Sequence, residues 1–340
     1  MNRFFIQKIL LEKGIFFKLV CGAGNEDPEE VKRLSFIYTL AGAKGIDISA
    51  NPEIVISCKK GIKEALKYSN QNILEPFITI SIGMKGDPHV RKAIINNKKC
   101  IKCNLCIPVC PTDAIPSELI IKENKCIGCG NCSAICPVNV IDYYHNYKDL
   151  EKILPVCLEY GAENIELHAS IYEDEIVLKE WEFITKINPN NYNSICLDRN
   201  HLSDFKLENR IKKIKEISKD KLIVQADGIP MSGSINDFNT TLQTIAIADI
   251  INKKFNKKID KKTKKYVYKK NIEVNILLSG GTNMLTSKLA KQNNVKYQGI
   301  SVGTYARNLV KDFINKKDFW TNKNLINNAV NKAKKLVNSI

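Results

Sequence analysis

The sequence predicts an α/β chain whose eight strand–helix units close into a TIM-like (β/α)8 barrel, with a small cysteine-rich segment inserted after the third strand. Three observations predict it. Short apolar runs alternate with amphipathic stretches along the chain, the rhythm of a parallel sheet with crossover helices. With residues 88–145 set aside, the runs number eight in about 280 residues, near the roughly 250 typical of this barrel. No strand ends in the G-x-G-x-x-G turn that would favour a doubly wound open sheet.

The strands are expected at 16–22, 45–50, 77–83, 164–170, 193–198, 222–228, 274–280 and 299–305. A helix over 28–43 begins with Pro28 after the capping candidate Asp27, because proline fits the first helical position and aspartate accepts from the free N–H groups there. Leu325, Ala329, Ala333 and Val337 repeat every fourth residue, which is one apolar helix face. The division follows: residues 1–87 open the barrel, residues 88–145 form the insert, and residues 146–340 complete the barrel.

The opening stretch, MNRFFIQKILLEKGIFFKL, is broken by Gln7, Lys8, Glu12 and Lys13, so it reads as folded protein and not as a signal peptide. No apolar run approaches the roughly 18–20 residues of a membrane helix, and a cytoplasmic protein is expected. In a reducing compartment, twelve cysteines point to metal or redox chemistry, not to disulfides.

Eight of those cysteines form a repeat. Cys100, Cys103, Cys106 and Cys110 align with Cys126, Cys129, Cys132 and Cys136, and Pro111 aligns with Pro137. This is the C-x2-C-x2-C-x3-C-P run of two-cluster bacterial ferredoxins, in which the fourth cysteine of each run serves the other cluster. The spacing therefore predicts two 4Fe–4S clusters, one on Cys100, Cys103, Cys106 and Cys136, the other on Cys126, Cys129, Cys132 and Cys110. Structural zinc needs only four ligands in paired knuckles and leaves the third cysteine of each run and the shared proline unexplained. Gly128 and Gly130 of the second run stand where the first has Lys102 and Asn104, so the clusters are expected to differ in potential.

The net charge of +16 raises nucleic acid as a partner. Lysine, asparagine and isoleucine are abundant throughout, however, and the densest patch, 253–270, reads as a solvated loop on the face away from the barrel mouth. Nucleic acid is not expected.

An insert after strand three sits in a strand-to-helix loop, and such loops build the C-terminal mouth where barrel sites lie. The glycines after strands seven and eight could cradle a phosphate there. The candidates are Gly280, Gly281 and Thr282 on one side and Gly303, Thr304 and Arg307 on the other, for flavin mononucleotide (FMN) or another phosphate-bearing ligand. Period-two alternation places Glu166, His168 and Ser170 on one face of strand four, which makes Glu166 and His168 the catalytic candidates. Cys58, Cys157 and Cys196 read as small core residues, and Cys21 as core or just behind the mouth.

The stretch FFKLVCGAGNEDPEEVKRLSFIYTLAGAKGIDISANPEIV, followed by the double cysteine run and the later barrel half, resembles the light-dependent-period (LdpA) iron–sulfur family of cyanobacteria. The resemblance implies a cytoplasmic protein that senses redox state and passes it to the circadian clock, with clock-associated or redox proteins as partners. It carries the eight repeat cysteines as cluster ligands and brings no catalytic residues. The alternative function is a flavin-dependent oxidoreductase in which the two clusters relay electrons to an FMN-type site at the mouth.

Overall fold

The computed structural model describes residues 2–69, 72–84, 87, 90–145, 149–199, 202–228 and 237–340. Residues 88 and 146, where the sequence places its boundaries, lie outside them. Helix α1 (Arg3–Glu12) leads into β1 (Phe16–Val20), followed by α2 (Pro28–Ala41), β2 (Gly45–Ser49), α3 (Pro52–Tyr68) and β3 (Phe77–Gly83). The insert holds β4 (Arg91–Ile95), α4 (Asn131–Ile135) and β5 (Ile141–His145). The chain continues through α5 (Leu150–Glu159), β6 (Asn164–His168), α6 (Asp174–Ile187), β7 (Asn193–Leu197), α7 (Asp204–Ser218), β8 (Leu222–Asp227) and α8 (Asp237–Ile251). A hairpin, β9 (Lys257–Ile259) and β10 (Tyr266–Tyr268), precedes β11 (Asn275–Ser279), α9 (Thr286–Gln292), β12 (Gly299–Val302), α10 (Thr304–Ile314) and α11 (Lys323–Val337).

Eight strands close the barrel in the order β1-β12-β11-β8-β7-β6-β3-β2, and every neighbouring pair is parallel. These are the eight expected runs, each shortened by a few residues at most. The strands read as near-continuous apolar runs because both faces are covered, by helices outside and by the barrel interior within. Helix α2 starts as its sequence dictates: the Asp27 side chain accepts from the Glu29 and Glu30 N–H groups, and Gly42 closes the helix with φ 93°. Helix α11 buries Ile326, Ala329, Ala333, Leu336 and Val337. Leu10 and Leu11 of α1 pack with Phe16, Phe77, Tyr192, Ile223 and Leu277 and plug the N-terminal end of the barrel.

The lysine-rich stretch is more ordered than the loop expected of it. Its β9–β10 pairing runs from Lys257 opposite Tyr268 to Ile259 opposite Tyr266. The turn is held by Asp260, whose Oδ1 accepts from the Lys262 and Thr263 N–H groups at 3.1 and 2.7 Å. Several of its lysines are paired: Lys253 and Lys257 with Asp249, Lys254 with Glu208, and Lys269 with Glu273.

The insert follows β3 and is tied at its neck. Strands β4 and β5 pair antiparallel, Arg91 opposite His145 through Ile95 opposite Ile141, so the segment leaves and rejoins the barrel at nearly one point. Its small core gathers Ala93, Ile95, Ala114, Ile115, Leu119, Ile141, Cys126 and Cys132.

Candidate functional site

The upper layer of the barrel interior is polar, where barrels of this kind usually stack branched apolar side chains. Lys18 (β1), Asp47 (β2), Ser81 (β3), Glu166 (β6), Ser194 (β7), Gln225 (β8) and Ser301 (β12) are all buried. Lys18 is salt-bridged to Glu166 and lies 3.5 Å from Asp47. Glu166 also accepts from Ser194 at 2.6 Å and from Gln225 at 2.5 Å, and Gln225 accepts from Ser301 at 2.5 Å. Ser81 donates to Asp47.

Burial would push the Glu166 carboxyl up, but Lys18, His168 and the Lys18 and Ser194 hydrogen bonds hold it below its ordinary value. Burial and the Glu166 charge push Asp47 up to about 7, against Lys18 and Ser81. One ammonium thus faces two carboxylates, and Asp47 is the one that takes the proton.

His168 and Glu166 point to the mouth, as their spacing predicts, and both line the cavity there. His168 Nε2 stands 3.6 Å from Glu166. The ligand atoms of Glu166, His168 and Cys196 lie within 4.8 Å of one another, a donor set that fits a metal by composition. Both Glu166 oxygens are already engaged, and Lys18 already supplies a cation, so the trio reads as one more portion of the network. Cys196 is more than the core filler its strand position implied. Its Sγ donates to Asp227 at 3.2 Å, and burial with that carboxylate pushes the thiol well above its ordinary value. Cys21 is fully buried although it lines the cavity, and burial pushes it up as well.

The mouth cavity measures about 500 Å³, within the range of small-molecule sites. Gly280, Gly281, Thr282, Gly303 and Thr304 line one side, and Pro108, Val109, Cys110, Pro111, Ile127 and Asn131 of the insert form the other. Gly280 and Gly281 take φ 70° and 72°, a conformation that favours glycine, and a Cβ at Gly280 would meet Asp227 Oδ1 at 1.7 Å. Helix α10 opens at Gly303 without a side-chain cap, and Gly303, Thr304 and Tyr305 of its first turn line the cavity, where helix N-termini favour negative charge. Arg307 is spent elsewhere, on Glu30 at 2.7 Å and the Cys21 carbonyl at 2.5 Å. The Thr282 hydroxyl donates to the Ser301 carbonyl at 2.5 Å. What fits a phosphate here is backbone N–H, not side-chain charge.

Four contacts clamp the insert over the mouth. Buried Lys92 donates to the carbonyls of Gly24, Glu123 and Cys126 at 2.7, 2.9 and 2.8 Å. The Glu26 N–H donates to the Asn124 carbonyl at 2.7 Å. Lys125 pairs with Asp27 at 2.9 Å, and Lys311 with Asp113 at 2.8 Å. No local sequence signal marks Lys92; its partners come together only in the fold.

The eight repeat cysteines fall into two cavities. Cys110, Cys126, Cys129 and Cys132 line one, and Cys100, Cys103, Cys106 and Cys136 line the other, the same partition that the spacing predicts. Backbone N–H groups already point at sulfur: Ala93 to Cys126 at 3.4 Å, Ala114 to Cys110 at 3.2 Å and Lys102 to Cys100 at 3.4 Å. The two runs share a backbone as well as a spacing. Gly128 and Gly130 have φ 71° and 94°, and Lys102 and Asn104 take φ 55° and 61° at the matching positions. Four thiols converging on each of two cavities, with amide donors beside them, fit an iron–sulfur cluster in each; such a group supplies one-electron redox capacity.

The family described as LdpA Fe-S cluster-binding domain matches residues 99–147, and the Light dependent period A C-terminal domain matches residues 157–339. The chain belongs to the light dependent period A family. The insert and the later barrel half are thus both accounted for, and an iron–sulfur cofactor comes with the LdpA cluster-binding domain. Light dependent period A of Synechococcus elongatus is 29% identical over 227 residues, which cover 66% of this chain and 64% of that protein. The match therefore spans a little under two thirds of the curated relative. Among solved structures, the tryptophan synthase alpha chain of Legionella pneumophila is 11% identical with a TM-score of 0.47, covering 100% of this chain and 97% of that one. The YdjI aldolase of Escherichia coli K12 is 7% identical with a TM-score of 0.46, covering 98% and 92%. At such scores neither likeness bears on the fold, which rests on the strand order and register. None of the described helices is long and apolar enough to cross a membrane.

Proposed function

We propose that this LdpA-family chain is a cytoplasmic redox-sensing protein that passes light-linked reducing state to the circadian clock. It does so through two 4Fe–4S clusters, one on Cys100, Cys103, Cys106 and Cys136, the other on Cys110, Cys126, Cys129 and Cys132. The observation that carries the reading is the position of Cys110, which lines both the second cysteine cavity and the barrel mouth. A charge change in that cavity is felt at the mouth, and whatever occupies the mouth is felt in the cavity. A clock-associated or redox partner reads the signal only if it binds one redox state better than the other. The timekeeping role is supported by the family and by the name of the Synechococcus relative. The test is anaerobic purification with iron and sulfide assays and electron paramagnetic resonance after dithionite. About eight iron and eight sulfide per chain, with two interacting one-electron signals, are expected of two such clusters. Bound zinc without sulfide overturns the reading.

A second reading draws on the mouth cavity itself: electron transfer between the clusters and an FMN-type ligand whose phosphate rests on the N–H groups around Gly280, Gly281, Thr282, Gly303 and Thr304. Acid release and fluorescence quantify any flavin. Gly303→Val is the clean probe, because a Cβ there meets nothing closer than 3.6 Å, whereas Gly280 variants collide with Asp227. Near-stoichiometric flavin in the wild type and its loss in Gly303→Val support this reading; protein free of flavin removes it.

A further inference from the structure

The face of the insert that carries Cys103 differs from the face that meets the barrel. Cys103 is exposed, and around it Ile101, Leu105 and Val138 are 60%, 47% and 39% exposed. The same three aliphatic side chains line the cavity of Cys100, Cys103, Cys106 and Cys136, so a body resting on them lies directly against it. Lys98, Lys99 and Lys102 are exposed beside them. Residues 96–112 and 131–141, which build this face, contain those three lysines and no acidic residue. Of the nearest acids in the chain, Asp113 is paired with Lys311, and Glu118 and Asp142 stand exposed beyond the two runs. The whole chain carries +16.

We propose that this face docks an acidic protein that carries single electrons. The inference rests on the two-cluster reading and names the partner that reading requires. An aliphatic centre with a one-signed polar rim is the make-up of a small, transient redox interface, and the net positive field steers an acidic partner toward it. The other cavity is more enclosed, because Cys126 and Cys132 are 7% and 8% exposed and its Cys110 is turned to the barrel mouth. Nucleic acid fits less well: single strands stack their bases on aromatic or arginine side chains, and residues 96–112 and 131–141 contain neither. On docking, the carrier is oxidised by one electron and the cluster of Cys100, Cys103, Cys106 and Cys136 is reduced by one, with no proton moved and no bond broken.

The probe is an acidic plant-type 2Fe–2S ferredoxin, titrated against the anaerobic holoprotein at low and high ionic strength. Binding should weaken steeply as salt rises. The variant K98E/K99E/K102E should lose about tenfold or more in affinity and in the rate of reduction by the ferredoxin, with its reduction by dithionite unchanged. K261E/K262E/K265E makes the same charge change on the distant hairpin and should move either quantity less than about twofold. Equal losses in both variants, or no loss in the first, overturn the inference. So does an oligonucleotide that binds as tightly through the same three lysines. Iron and sulfide are read first on every sample. A wild type without clusters overturns the proposed function and this inference with it, whereas full clusters with an unaffected interaction overturn the docking face alone.

Discussion

Replacing Lys18 with methionine removes the ammonium of the polar layer and leaves Glu166 without its charge partner. Breaking a buried pair in this way costs about 3–5 kcal/mol, but the protein has a cheaper exit, since Glu166 can take a proton. Protonating a carboxyl of ordinary pKa near 4.3 costs about 1.4 kcal/mol per pH unit, so about 3.7 kcal/mol at pH 7 and about 1 kcal/mol at pH 5. The loss of stability should therefore be about 3–4 kcal/mol at pH 7 and shrink to about 1 kcal/mol, plus any packing defect, at pH 5. The sign follows from linkage: without Lys18 the folded-state pKa of Glu166 lies above the unfolded one, so stability is lost as pH rises through that interval. Anaerobic urea titrations read by tryptophan fluorescence measure it, with Trp181 wholly buried as the reporter. At an m-value of about 3 kcal/mol/M the midpoint should fall by about 1 M at pH 7. The double variant Lys18→Met, Glu166→Gln should recover much of that. A loss equal at both pH values, or below about 1 kcal/mol at pH 7, would refute the argument.

Asp47→Asn tests the other carboxyl. Its folded pKa near 7 exceeds the unfolded value, so the wild type should lose stability between about pH 4 and pH 7 relative to the variant, seen as converging urea midpoints at low pH. Lys92→Met strips three carbonyls, two of them buried, of their donor; hydrogen exchange in the insert should speed up, and the potential of the cluster cavity that holds Cys126 should drop as a nearby positive charge is lost. Asn104→Gly relieves a left-handed residue at φ 61° and should stabilise by about 0.5–1 kcal/mol, read as a higher urea midpoint with iron content unchanged.

The barrel was legible because each of its strands is buried on two faces and so writes itself as an apolar run, and helix starts such as Asp27–Pro28 carry local chemistry. The cysteine repeat was legible for the same reason: the runs are short, and chain geometry alone limits what four sulfurs at those gaps can surround. Other features depend on meetings that no spacing records. Lys18 finds Glu166 across 148 positions, Cys196 finds Asp227 from the next strand, and Lys92 finds a carbonyl of the β1–α2 loop. Arg307 looked available for a phosphate only until the fold brought Glu30 and the Cys21 carbonyl to it. The β9–β10 hairpin was hidden by its lysines, whose charge reads as solvation until Asp249, Glu208 and Glu273 come alongside.

The antiparallel neck of the insert has an evolutionary reading. Arg91 and His145 face each other across one strand pair, about 5 Å apart at their Cα atoms as such pairs are, so everything between them is a detour that begins and ends at one place. A barrel lacking the detour would need only a short turn between the end of β3 and the start of α5, with its strand order untouched. The cluster-binding unit could therefore be gained, exchanged or lost in a single genetic step without asking the barrel to refold. The charged layer within the barrel, which lies outside the detour, would pass through such an exchange intact.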